Sequence, residues 1–122
     1  MISKQYRVID LANGAKNIVI DCVGENNQTL NMYLNSDVKP FEEFMKSAFD
    51  KVLSGEEDSM EVGGNICCAL IHPDNTKIYD TLADSDEAYE ASCCEVNTKE
   101  LRELIEEWCD KVREFHGTGK IL

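Results

Sequence analysis

A chain of 122 residues, 43% of them apolar and 30% charged, has the length of one domain and too much apolar content for intrinsic disorder. Its 24 acids and 12 bases leave a formal charge of −12, which argues against nucleic acid and anionic membrane as direct partners because both would repel it. The longest apolar runs, 66–71 and 18–20, are too short to cross a bilayer.

Alternation over 5–11 predicts a first strand, and Asn13-Gly14 after it is a turn dipeptide because both residues tolerate positive φ. Ile18, Val19, Ile20 and Val23 supply a second strand rich in β-branched residues. Gly24-Glu25-Asn26-Asn27 breaks the pattern. Leu30, Met32 and Leu34, alternating with Asn31 and Asn35, then predict a third strand, with short polar turns favouring antiparallel pairing.

Phe41, Phe44, Met45, Ala48, Phe49, Val52 and Leu53 recur at helical spacing and form one apolar stripe. Ser36 or Asp37 is available to cap this helix, Pro40 suits its first turn, and Gly55 stands where a C-terminal glycine belongs. Three phenylalanines on one stripe predict a large share of the core. Residues 65–71 are apolar on both faces, as in a central strand, and Pro73-Asp74-Asn75 makes a turn. A strand over 77–82, a charged loop over 83–87 and a last strand over 89–96 follow.

Asn97 is an N-cap with Glu100 three residues on, and Leu101, Leu104, Ile105, Trp108, Cys109, Val112 and Phe115 line one face of the helix it opens. Gly117 ends that helix, and 118–122 form a short tail. The order β-β-β-α-β-β-β-α predicts a single α+β domain over 1–122. Its antiparallel sheet of five to six strands carries two amphipathic helices.

The start, Met1-Ile2-Ser3-Lys4-Gln5-Tyr6-Arg7, shows no apolar segment of a signal peptide, so a cytoplasmic location with reduced cysteines is expected. The pairs Cys67-Cys68 and Cys93-Cys94 raise the question of zinc. Adjacent strand residues point to opposite faces, so only one cysteine of each pair can reach a shared site. Small buried side chains are the expected role, and no metal or other cofactor is predicted. His72 and His116 have no sequence neighbours that make a catalytic set. Asp84-Ser85-Asp86-Glu87 begins like a calcium loop but places Ala88 and Tyr89 where a ligand and a glycine are needed.

Charge is distributed very unevenly. Between residues 56 and 95 stand Glu56, Glu57, Asp58, Glu61, Asp74, Asp80, Asp84, Asp86, Glu87, Glu90 and Glu95, against Lys77 alone, so this stretch carries −10 of the −12. Each flank is close to −1. Self-repulsion among these acids costs stability without local compensation, so two readings stand: a docking surface for something basic, or a solvated face with an unusual bias. A basic protein is the partner that such a field attracts. The partner-binding residues predicted are Glu56, Glu57, Asp58, Glu61, Tyr79, Asp80, Asp84, Asp86, Glu87, Tyr89 and Glu90, with Met60 a further apolar anchor.

A small acidic α+β domain with the helical run Glu100-Leu101-Arg102-Glu103-Leu104-Ile105-Glu106-Glu107-Trp108 resembles bacterial immunity proteins of contact-dependent or polymorphic nuclease toxin systems. The resemblance implies a non-catalytic, stoichiometric inhibitor whose acidic patch covers a basic toxin active site. Two other classes stand beside it. One is a small cytosolic enzyme using Cys67, Cys68 or His72 as thiol or metal chemistry, and the other is an acidic adaptor subunit.

Overall fold

The computed structural model describes residues 2–24 and 27–118. Strands β1 (Lys4–Asp10) and β2 (Lys16–Cys22) form an antiparallel hairpin in which Tyr6 lies opposite Ile20 and Val8 opposite Ile18. The predicted Asn13-Gly14 turn closes it. Gly14 takes φ +83°, and the Asn13 side chain accepts from the Ala15 N–H at 2.9 Å.

The third predicted strand is instead helical. Residues 28–38 form α1 (Gln28–Met32), which runs directly into a π-helical stretch, Tyr33–Val38. The period of two through Leu30, Met32 and Leu34 omitted the residues that decide the fold here. Thr29, Leu30, Tyr33, Leu34, Asp37 and Val38 are the buried ones, a helical recurrence that includes two polar side chains. The segment still completes the hairpin, by side chains. Asn35 accepts from the Ile20 N–H at 3.0 Å and donates to the Ile20 carbonyl at 2.9 Å, while Asn31 accepts from the Cys22 N–H at 2.6 Å. One turn apart on one helix face, the two amides occupy the edge where a third strand would pair.

Asp37 is fully buried. Its carboxylate accepts from the backbone N–H groups of Asn65 (2.7 Å), Ile66 (3.0 Å) and Cys67 (2.7 Å), so it fastens the helical segment to the second sheet rather than capping the next helix. Gly64 lies so close that a Cβ there would stand 2.7 Å from the Asp37 side chain. Helix α2 (Glu42–Leu53) starts after Phe41 with no side-chain cap and ends before Gly55 at φ +83°. It buries Met45, Ala48, Phe49 and Val52, whereas Phe41 and Phe44 remain 41% and 58% exposed, so one of the three phenylalanines of the predicted stripe serves the core.

Four strands make the second sheet, a meander in the order β3-β4-β5-β6 with every pair antiparallel. They are β3 (Met60–Gly63), β4 (Cys67–Ile71), β5 (Asn75–Asp80) and β6 (Cys94–Asn97). The first half of the predicted strand over 89–96 belongs instead to helix α3 (Asp86–Ser92), while 94–96 fall in the short β6. The Ser85 hydroxyl accepts from the Ala88 N–H at 3.0 Å, and Asp86 and Glu87 occupy the first turn, where negative charge suits the helix dipole. The molecule is therefore α+β, but with a two-stranded and a four-stranded sheet and more helix than predicted.

Helix α4 (Thr98–Thr118) starts as expected, the Asn97 side chain accepting from the Glu100 N–H at 2.9 Å, and runs past Gly117. The rest of the predicted tail lies outside the described residues, as do Glu25 and Asn26 of the predicted break. Trp108 is fully buried; its indole N–H donates to the Leu34 carbonyl at 2.8 Å and its ring stacks on Tyr6 with centroids 6.0 Å apart. Ile18, Ile20, Leu34, Phe49, Ala69, Ile78, Leu101, Ile105 and Trp108 belong to one apolar core shared by both sheets and the helices. No helix among the described residues is long and apolar enough to cross a membrane.

Asp37→Ala leaves three backbone N–H groups without their acceptor and is expected to cost about 3 kcal/mol or more in urea unfolding. Gly64→Ala is expected to destabilise through the Asp37 contact, although its backbone φ is ordinary. A loss below about 1 kcal/mol for Asp37→Ala contradicts this role.

Candidate functional site

Strand alternation divides the second sheet into two faces. Met60, Val62, Cys67, Ala69, Ile71, Thr76, Ile78, Cys94 and Val96 lie on the side packed against α1, α2 and α4. The opposite side carries a cross-strand row of Glu61, Leu70, Lys77 and Glu95, beside a second row of Gly63, Cys68 and Tyr79. Helix α3 lies over one end of this outer face. Its Tyr89 ring meets Tyr79 edge-on, with centroids 5.2 Å apart at 68°, and the Lys77 ammonium stands over the Tyr89 ring, 5.2 Å from its centroid.

This outer face has an aromatic and apolar centre with acids around it. The Tyr79 hydroxyl donates to Glu61 at 3.0 Å, and the Cys68 thiol reaches the same carboxylate at 3.8 Å. The neighbouring Cys68 thiol, burial and Glu61 together hold the Tyr79 phenol well above its ordinary range. Two shallow depressions meet at Lys77 and Glu95. One, of about 450 Å³, is also lined by Tyr89, Glu90 and Cys93, and the other, of about 310 Å³, by Leu70, His72, Asp74 and Asn75.

The acids outside 56–95 are largely spoken for. Asp10 pairs with Lys16, Asp21 with Arg7, Glu42 with Lys46 and Arg113, Asp50 with Arg102, Glu106 with Lys46, and Glu107 with Lys4. Among the described residues, none of the eleven acids between 56 and 95 makes an ion pair. Their field is therefore left open to solvent on this side of the chain.

Of the predicted partner-binding residues, the structure brings Glu61, Tyr79, Tyr89 and Glu90 together at the outer face. Asp84, Asp86 and Glu87 stand exposed at the entry of α3. Glu56, Glu57 and Asp58 occupy the exposed loop between α2 and β3, where Glu56 borders a groove lined also by Lys46, Lys51 and Arg102. Asp80 ends β5 and accepts from the Leu82 N–H at 2.8 Å, closing a turn. Met60 faces the core. Leu70, Lys77 and Glu95 join the site without having been predicted. Their signal lay in the pairing register of three strands, which residue types alone do not disclose.

The six cysteines are free thiols, and no cluster of three or more metal-ligating side chains forms among the described residues. Burial pushes the Cys22 thiol up to about 11 and those of Cys67 and Cys109 up to about 12, so at neutral pH they stay protonated and unreactive.

The sequence is 36% identical over 91 residues to a Bacillus cereus protein named "Immunity protein", an alignment covering 74% of this chain and 75% of that one. No protein-family model matches the chain, and no solved structure matches it significantly.

Replacing Glu61 by Gln removes the negative charge and leaves only a neutral acceptor for the phenol, so tyrosinate absorbance should show Tyr79 ionising at lower pH. An unchanged titration contradicts the contact. The raised thiols also give a sign for stability. Unfolded cysteines lose their protons near pH 9, while the folded Cys22, Cys67 and Cys109 keep theirs to about 11–12, so the unfolded state gains as pH rises past 9. The urea midpoint is expected to fall from about pH 8 to about pH 10, and a flat or rising midpoint contradicts the burial of these thiols.

Proposed function

The chain belongs to the immunity proteins, and from that premise we propose that it inhibits a basic, nuclease-type toxin by laying the outer face of its four-stranded sheet over the toxin's active site. The observation that carries this reading is the set of eleven acids left without ion pairs, gathered in the third of the chain that builds that face. Among the other described acids, Asp10, Asp21, Glu42, Asp50, Glu106, Glu107, Asp110 and Glu114 each pair with a base. An unneutralised field costs folding free energy, and a basic partner recovers it on binding.

Two roles separate within the face. Tyr79 and Tyr89 supply rigid aromatic area at the centre, with Leu70 beside them, and are the anchors. Glu61, Glu90 and Glu95 surround them and meet cationic side chains of the toxin. Glu56, Glu57, Asp58, Asp80, Asp84, Asp86 and Glu87 act at longer range, raising the encounter rate of an inhibitor that must arrive before the toxin cuts. A nuclease cleft is built for polyphosphate, so carboxylates on a rigid sheet compete for the same basic groups by charge. The protein acts by occupying space and charge, with no reaction of its own.

Binding to the toxin encoded beside this chain tests the proposal. Association measured by stopped flow should slow steeply as salt rises, and Glu90→Lys should slow it further while hardly changing dissociation. Tyr79→Ala or Tyr89→Ala should speed dissociation and weaken Kd about tenfold or more. Salt-independent association, together with wild-type affinity in both tyrosine variants, rules out this face.

A further inference from the structure

The hairpin has one sealed edge and one open edge. Its pairing phase is set at both ends, where the Leu11 N–H donates to the Ala15 carbonyl at 2.8 Å and the Val23 N–H to the Ser3 carbonyl at 2.8 Å. The odd-numbered residues of β1 therefore turn their backbone groups toward β2, and those of Lys4, Tyr6, Val8 and Asp10 point away. The far edge of β2 is occupied by Asn35 on Ile20, Asn31 on Cys22 and Lys39 on the Ile18 carbonyl. Among the described residues, no hydrogen bond reaches the outward backbone groups of β1. A seven-residue edge without proline or bulge is a template for another strand.

We propose that the occupant is β1 of a second copy, paired antiparallel about a two-fold axis at Arg7 to give a continuous sheet β2-β1-β1-β2. The strand fits itself. The register that sets Arg7 opposite its symmetry mate overlaps all seven residues from Lys4 to Asp10 and brings the outward backbone groups of the two strands face to face. It places Lys4, which pairs with Glu107 of its own chain, opposite Asp10 of the second copy, which pairs with its own Lys16, and so joins two ion pairs into one network; Tyr6 stands opposite the second copy's Val8. An opposite-charge pair and an aromatic with a β-branched residue are both favourable cross-strand neighbours. The like charges that meet at the axis are already balanced, since each Arg7 is bound to its own Asp21.

Charge permits this contact where the acidic stretch 56–95 would resist it. Residues 4–22 hold three bases, Lys4, Arg7 and Lys16, against two acids, Asp10 and Asp21, so two strongly acidic chains meet through a segment that is not acidic. Val8 and Leu11, each 40% exposed, lie along the same strand and its exit. The hairpin shares no residue with the outer face of the four-stranded sheet, so this dimer stands whether or not that face binds a toxin.

Sedimentation of the full chain over a wide concentration range tests it. The wild type should sediment as a reversible dimer. Val8→Pro deletes one outward N–H while sparing the hairpin's own bonds, and should raise the dimer Kd about tenfold or more. Asp10→Lys sets Lys opposite Lys4 twice in the dimer and should weaken it similarly, and adding Lys4→Asp should restore it. A wild-type monomer throughout overturns the proposal, and so does a dimer that the Asp10→Lys and Lys4→Asp exchanges leave unmoved. Should Val8→Pro fail to fold, the charge exchange alone decides.

Discussion

The Asp37 carboxylate accepts from three successive backbone N–H groups at the entry to β4, and the position of the whole second sheet descends from that contact. The helical segment that holds Asp37 has two further obligations. Its asparagines seal β2, and its Leu34 carbonyl receives the Trp108 indole while also accepting from the Lys39 N–H across the wider π turn. Residues 28–38 thus join hairpin, sheet and C-terminal helix by polar bonds inside an apolar core. Such bonds are directional, so they set register and orientation where apolar packing alone tolerates sliding. Gly64 belongs to the same contact, since only a residue without Cβ lets the carboxylate approach.

Charge is managed in two ways by the same chain. On the helical side, acids and bases interleave: Lys46 bridges Glu42 of its own helix and Glu106 of α4, and Arg102 reaches Asp50. These partly exposed pairs contribute little stability each, but they cancel the field between α2 and α4. On the sheet side no such cancellation occurs. The one base, Lys77, sits over the Tyr89 ring and not in an ion pair. One half of the molecule is held by paired charge, and the other presents unpaired charge around two tyrosines.

Much of this was legible in residue order. Strong local signals survived folding: Asn13-Gly14 made its turn, Asn97 capped α4, and the stripe through Leu101, Leu104, Ile105 and Trp108 went inside. The segment that failed was the hub. Leu30, Met32 and Leu34 fit a strand by period two, and a helix with Asn and Asp turned inward violates the rule that buried faces are apolar. Only the tertiary partners of Asn31, Asn35 and Asp37 make that helix favourable. The start of α3 hides behind a related ambiguity, because Ser85 and the acids after it fit a charged loop as well as a helix cap. For the site, the excess of acid could be read directly, yet its geometry could not. Register decides which of Glu61, Leu70, Tyr79 and Asp80 share a face, and register is a property of pairs.

The most direct test of the account is hydrogen–deuterium exchange of the full chain with and without its toxin. If the outer face of the second sheet is the interface, peptides spanning β5, α3 and β6 gain protection on binding, while those of α2 and α4 exchange as in the free protein. Protection confined to α2 and α4, with residues 77–96 unchanged, would contradict it.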